Sequence, residues 1–133
     1  MDYAFRLTYG QDLRQGIEEF CRSHGISAAV IVTVVGCLYE AAIRLADGET
    51  IISLKDNYEI VSLTGTGSAD VAHLHISLAD RQGKVIGGHM CPGCLVNTTA
   101  EVAIRSLDDR YRFTRQFDES TGYDELVITE GGM

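Results

Sequence analysis

HLHISLADRQGKVIGGHM, residues 73–90, holds two strand patterns on either side of one turn, and three of the chain's four histidines. Asp80-Arg81-Gln82-Gly83 sits between the two patterns. Asp suits the first position of a type I turn and Gly the last, where φ is positive. That is a three-residue hairpin loop closed by a G1 bulge. It sets Asp80 opposite Lys84 and Ala79 opposite Val85, and down the ladder it sets His75 opposite His89 and His73 opposite Cys91. In this register Leu74, Ile76 and Leu78 share one face with Ile86 and Met90. The other face carries His73, His75, Ser77, His89 and Cys91. A one-residue slip would mix the two sets, which a sheet with one buried face resists.

Three imidazoles and a thiol are thereby expected on one sheet face. Directly opposed Cβ atoms lie roughly 4.5–5.5 Å apart, close enough for side chains to meet on one ion. A divalent metal takes imidazole nitrogens at about 2.0–2.1 Å. Three neutral imidazoles with an open fourth position describe a catalytic zinc site, and equally a site closed by a carboxylate or by a neighbouring subunit. The plainer alternative is a polar face on which the histidines merely hydrogen-bond. Zinc is the first choice of ion, with nickel, iron and copper as rivals for imidazole.

Working outward, Phe5–Tyr9 alternates as a first strand. Asp12 can cap a helix over 12–24, with Leu13, Ile17, Phe20 and Cys21 on one face and Gly25 just past its end. Ser27–Val35 is a β-branched apolar run, punctuated by Gly36, and Leu38–Leu45 reads as another strand. Asp47-Gly48 is a hairpin turn. Strands are then expected over 50–54, 58–64, 71–79, 84–90, 95–104, 111–117 and 126–128, with a loose tail at Glu130-Gly131-Gly132. The fold class is α+β: a largely antiparallel sheet of about seven to nine strands with one main helix.

The chain has 133 residues and an apolar fraction of 45 %. That suits a single domain over 1–133 that buries roughly two-thirds of its unfolded surface. No apolar run approaches the roughly 20 residues of a membrane span, so no membrane partner is expected. The N-terminal segment MDYAFRLTYG lacks a basic region followed by an apolar one, and a cytoplasmic location is the default expectation. Nineteen acids against 11 bases give a net charge of −8, which opposes contact with phosphate backbones. The one local concentration of basic residues is Arg105, Arg110, Arg112 and Arg115. It makes either a nucleic-acid contact strip or a solvated strand face.

Four cysteines are present. Cys21 and Cys37 read as core. Cys91-Pro92-Gly93-Cys94 is a CxxC that joins two strands and opens no helix, which disfavours a redox pair. It has no second CxxC to complete a structural zinc site. Cys91 is a possible fourth member of the histidine cluster, and Cys94 reads as a buried small hydrophobe. Glu101 stands among apolar residues in Thr98–Val102. It is a metal ligand, a hydrogen-bond partner to a ligating imidazole, a general base, or an outward edge charge. Gly65-Thr66-Gly67-Ser68 lacks the Lys and the helix of a phosphate loop and reads as a turn or bulge.

The chain resembles the PPC (plants-and-prokaryotes conserved) domain. The matching residues are Ile60–Gly65, HLHISLAD with Gly83 and Val85, Gly87-Gly88-His89, Gly93-Cys94 and Thr98–Ile104. The helix start at Gly10–Asp12, His24-Gly25-Ile26 and Ala28-Ala29-Val30 are also similar, so the likeness spans almost the whole chain. The resemblance implies an α+β sheet that assembles as a homotrimer. In plants the domain is fused to AT-hook segments that hold A·T-rich DNA, and the domain itself carries nuclear targeting and association with itself and other factors. Prokaryotic members stand alone and take a DNA-binding label by that association, and some resemble metal proteins. This chain has no Arg-Gly-Arg-Pro hook, so the label lacks its physical carrier here. It does keep His73, His75 and His89, which plant members commonly lack.

The expectation is a trimeric, metal-binding PPC protein with a regulatory or DNA-binding role. The alternative is a metal-dependent hydrolase of a small substrate, with Glu101 as base and the ion lowering the pKa of its water to about 7.

Overall fold

The protein is described by a computed structural model covering residues 1–131. Its elements run β1 (Asp2–Thr8), α1 (Leu13–Ser23), β2 (Ala29–Arg44), β3 (Ile51–Gly67), β4 (His73–Ala79), β5 (Val85–Met90), β6 (Leu95–Ser106), β7 (Tyr111–Asp118) and β8 (Tyr123–Glu130). The first six strands form one antiparallel sheet in the order β1-β6-β2-β3-β4-β5, and β7 and β8 form a separate hairpin. The α+β class and its antiparallel sheet hold as expected.

Two long strands differ from expectation. β2 runs through Gly36 without a break, and β3 runs through Asn57 where two strands were expected. The reason is bulging. β2 shifts register against β6 at Ile31/Thr33, Gly36/Cys37 and Leu38/Glu40, so the strand bends and continues. Gly36 has φ +151° and lies so close to β6 that a Cβ there would sit 2.0 Å from the Thr99 carbonyl oxygen. The glycine marks a crossing of backbones, not a strand end.

Because it bends, β2 serves three partners. Its body pairs with β6 and β3, and its last residues Ile43 and Arg44 pair with Met90 and His89 of β5. The pairings β2–β3–β4–β5–β2 therefore close on themselves. Leu38, Ile43, Leu74, Leu78, Met90, Cys94 and Val96 are all fully buried in the core that results.

α1 covers the rest of that core with Leu13, Ile17 and Cys21, all fully buried. Asp12 is its N-cap, with Oδ1 accepting from the Gln15 amide at 2.9 Å. Its other oxygen accepts from the Gly93 amide at 2.7 Å, so one carboxylate ties the helix start to the CxxC loop. Gly25, at φ +64°, ends the helix as expected. His24 is structural: it stacks on Phe20 with ring centroids 3.9 Å apart.

The β7–β8 hairpin is held to the sheet by Phe113, which is buried and whose amide donates to the Ser27 carbonyl at 3.2 Å. Glu130, expected in a loose tail, instead ends β8 and pairs with Tyr111 of β7. Gly131 donates to the Arg110 carbonyl at 3.1 Å, and Gly132 lies outside the described residues.

Candidate metal centre

The turn that places the histidines is built as its residues require. The Gly83 amide donates to the Asp80 carbonyl and the Asp80 amide to the Lys84 carbonyl, both at 2.9 Å. Gly83 has φ +81°. The Asp80 carboxylate accepts from the Gln82 and Lys84 amides at 2.9 Å each. Ala79 then faces Val85, and His75 faces His89. On the other side, β3 places Thr64 opposite His75 and Thr66 opposite His73.

The expected two faces follow. Leu74, Ile76, Leu78 and Met90 are buried, and His73, His75 and His89 point away from them. Ring centroids are 5.2 Å apart for His73 and His75, 5.4 Å for His73 and His89, and 5.7 Å for His75 and His89. One nitrogen from each ring lies within 4.8 Å of the others. Three nitrogens on a tetrahedral ion would stand about 3.4 Å apart. Binding an ion would therefore draw the three rings closer by side-chain rotation.

His89 Nδ1 is buried with no hydrogen-bond partner among the described residues. A buried polar atom left unpaired is costly, so a group that reaches this nitrogen would be favoured. Burial holds the His89 ring down to about 4, with repulsion from Arg44 next in importance. His73 is lowered by burial first and by Arg115 second. Both rings are therefore neutral at pH 7, the form that binds metal.

Two other candidates lie elsewhere. Cys91 does not face His73, because β5 ends at Met90 and the Cys91 amide turns to donate to the Ala42 carbonyl at 3.0 Å. The closure of β5 onto β2 redirects the chain at this point, and Cys91 is not in the donor cluster. Cys94 is fully buried, as expected, and burial pushes its thiol up to about 11. All four cysteines are free. Glu101 is exposed on β6, opposite Arg6 of β1 and Val35 of β2. Its strand pairs with neither β4 nor β5, and Glu101 is not grouped with the three histidines as a donor, so it is not placed as their base.

The four arginines do not make one strip. Arg105 forms a two-pronged pair with Asp2 at 2.7 and 3.2 Å. Arg112 bonds the Asp108 carbonyl at 2.7 Å, and Arg110 lies over the Tyr111 ring. Arg115 instead reaches the histidines. It lines a cavity of about 410 Å³ together with His73, His89, Arg14, Arg44 and Tyr123. Arg14 comes from α1 and donates to the Met90 carbonyl at 3.2 Å. Arg44 arrives as the strand partner of His89. No local pattern signals Arg14 and Arg44, since only sheet closure brings residues so distant in the chain to one place.

Residues 1–108 match the model of the Plants and Prokaryotes Conserved (PCC) domain. The chain belongs to this family. Its β7–β8 hairpin lies beyond the matched residues. Among solved structures, a hypothetical protein from Salmonella cholerae-suis (Salmonella enterica) is 38 % identical with a TM-score of 0.93, over 98 % of this chain and 94 % of that one. A metal-containing protein from Archaeoglobus fulgidus is 30 % identical with a TM-score of 0.78, over 96 % and 93 %. Over 127 residues the chain is 46 % identical to the bifunctional protein GlmU of Synechococcus sp. (strain JA-3-3Ab). This covers 95 % of the chain but only 20 % of that relative, so the PCC chain spans about a fifth of it. No helix among the described residues is long and apolar enough to cross a membrane.

Proposed function

We propose that this PCC protein is a metal-binding module that holds one divalent ion, zinc by first choice, on His73, His75 and His89. The observation that carries the reading is three imidazole nitrogens, one from each ring, within 4.8 Å of one another. The metal-containing Archaeoglobus relative supports it, as does the neutrality of His73 and His89 at pH 7. The ion's chemistry would be that of a Lewis acid with a position left for a further ligand. The chain's own part is to hold three imidazole donors on a sheet face whose register is set by the Asp80–Gly83 turn.

The module is read as a homotrimer by family resemblance. Val32, Val35 and Val61, on the neighbouring strands β2 and β3, are each more than half exposed, which suits a face covered by another copy. The hydrolase alternative keeps the cavity beside the ion but loses Glu101 as its base. A DNA-binding role has the resemblance behind it and a net charge of −8 against it. With Arg105 tied to Asp2 and Arg115 turned to the histidines, a gel shift at about 50 mM salt is expected to show no complex.

Elemental analysis of protein purified without added metal tests the centre. One ion per chain is expected, lost in His75→Ala. Equal metal content in the variant would remove the basis for the site.

A further inference from the structure

We propose that the cavity beside His73 and His89 is an anion site, in which Arg14, Arg44 and Arg115 receive a small ligand bearing carboxylate or phosphate oxygens. The proposal extends the metal reading and rests on it for the ligand's contact with the ion. The arginines supply the rest.

The three guanidinium groups come from three separate elements, α1, β2 and β7, and converge on one cavity of about 410 Å³. That volume suits a small metabolite. Each arginine is held in place. Arg14 bonds the Met90 carbonyl at 3.2 Å and faces Glu18 at 3.4 Å. Arg115 bonds the Asp124 carbonyl at 3.5 Å. Arg44 lies under the Tyr123 ring, 5.9 Å from its centroid. Its Nε is buried with no partner among the described residues. A buried guanidinium N–H without an acceptor calls for one, and the planar fork of arginine fits carboxylate and phosphate oxygens two at a time.

Charge balance argues the same way. Asp124 and Glu125 also line the cavity, and Glu18 is already engaged by Arg14 and by the Ala72 amide at 2.9 Å. Those three acids match the three arginines. A divalent ion on three imidazoles would then carry its charge uncompensated in a partly buried place, where unlike charges attract strongly. An anion beside the ion would supply that missing negative charge and, at the same time, an acceptor for Arg44 Nε. Arg44 is the strand partner of His89, so the two oxygen-seeking groups are immediate neighbours.

The wall formed by Arg115 and Tyr123 belongs to the β7–β8 hairpin, outside residues 1–108 of the family match. The hairpin therefore acts as the part of this chain that selects the ligand, over a metal-bearing face set by the β3–β4–β5 strands.

Isothermal titration of metal-loaded and metal-stripped protein with inorganic phosphate and, separately, with succinate tests the site. Binding of at least one probe is expected, and the stronger of the two names the oxyanion. Arg44→Gln and Arg115→Gln are each expected to weaken it at least tenfold, with circular dichroism confirming the fold. Arg81→Gln, in the distant hairpin turn where Arg81 pairs with Asp56, is expected to bind as wild type. Metal content is counted in the same samples. Wild-type protein that binds neither probe up to about 10 mM in either form overturns the anion site while leaving the metal count to stand on its own. Full binding in both arginine variants overturns it as well. Binding by protein that never takes up metal supports the arginine site and fails the metal reading instead.

Discussion

His89 carries the largest electrostatic consequence at the scale of single residues. Burial and Arg44 hold its pKa near 4, against 6.5 for an ordinary histidine. Between those values the unfolded chain takes up a proton that the folded protein refuses. Stability of the metal-free protein therefore falls as pH drops from about 6.5 toward 4, and this group adds no slope above that window. His89→Gln is expected to flatten the curve there, as read by urea unfolding at fixed ionic strength; an unchanged slope would assign the proton uptake to another group. The cysteines give a second test. Cys21 and Cys94 are fully buried with thiols pushed up to about 11, so brief iodoacetamide treatment of native protein at pH 8 should leave both unmodified. Mass spectrometry showing alkylated Cys94 in folded protein would contradict the packing of the CxxC loop.

Single elements are set by a few polar contacts and close approaches. Asp12 caps α1 and also holds the Gly93 amide. A lost cap alone costs about 1 kcal/mol, and the second stranded amide adds about as much, so Asp12→Ala is expected to lower stability by about 2 kcal/mol in chemical denaturation. A loss of only a few tenths would mean that water replaces both bonds. Gly65, with φ +151°, lies against β4 so closely that a Cβ would sit 2.0 Å from the His73 carbonyl oxygen. Gly65→Ala is expected to cost about 3 kcal/mol and to disturb the ladder under His73, lowering metal content along with melting temperature. Wild-type values for both would show that β3 and β4 can part there freely. The β4–β5 hairpin was legible in advance because its turn chemistry is local: Asp80 and Gly83 impose one register, and alternation assigns the faces. β2 and β3 were not, because Gly36 looks the same in sequence whether it ends a strand or lets one bend past a neighbour.

The molecule as a whole is acidic but gathers arginines at one cavity. The net charge is −8, yet three arginines surround the histidines. The proposed homotrimer belongs to this scale. Sedimentation equilibrium is expected to give three times the 14.5 kDa chain mass, and Val35→Arg or Val61→Arg should shift the population toward smaller species. A monomer at all concentrations would leave the exposed valines without a covering partner. Residues 73–90 alone were enough to foresee the hairpin register and the three-histidine face, and alternation read along the whole chain foresaw the helix-poor antiparallel class, since turn preference and two-residue alternation act between near neighbours. The departure of Cys91, the isolation of Glu101 and the gathering of Arg14, Arg44 and Arg115 were settled only when β5 closed onto β2 and the last hairpin folded across the site. Those outcomes depend on contacts between residues dozens of positions apart, and no local pattern in a chain records which distant segments will share an edge.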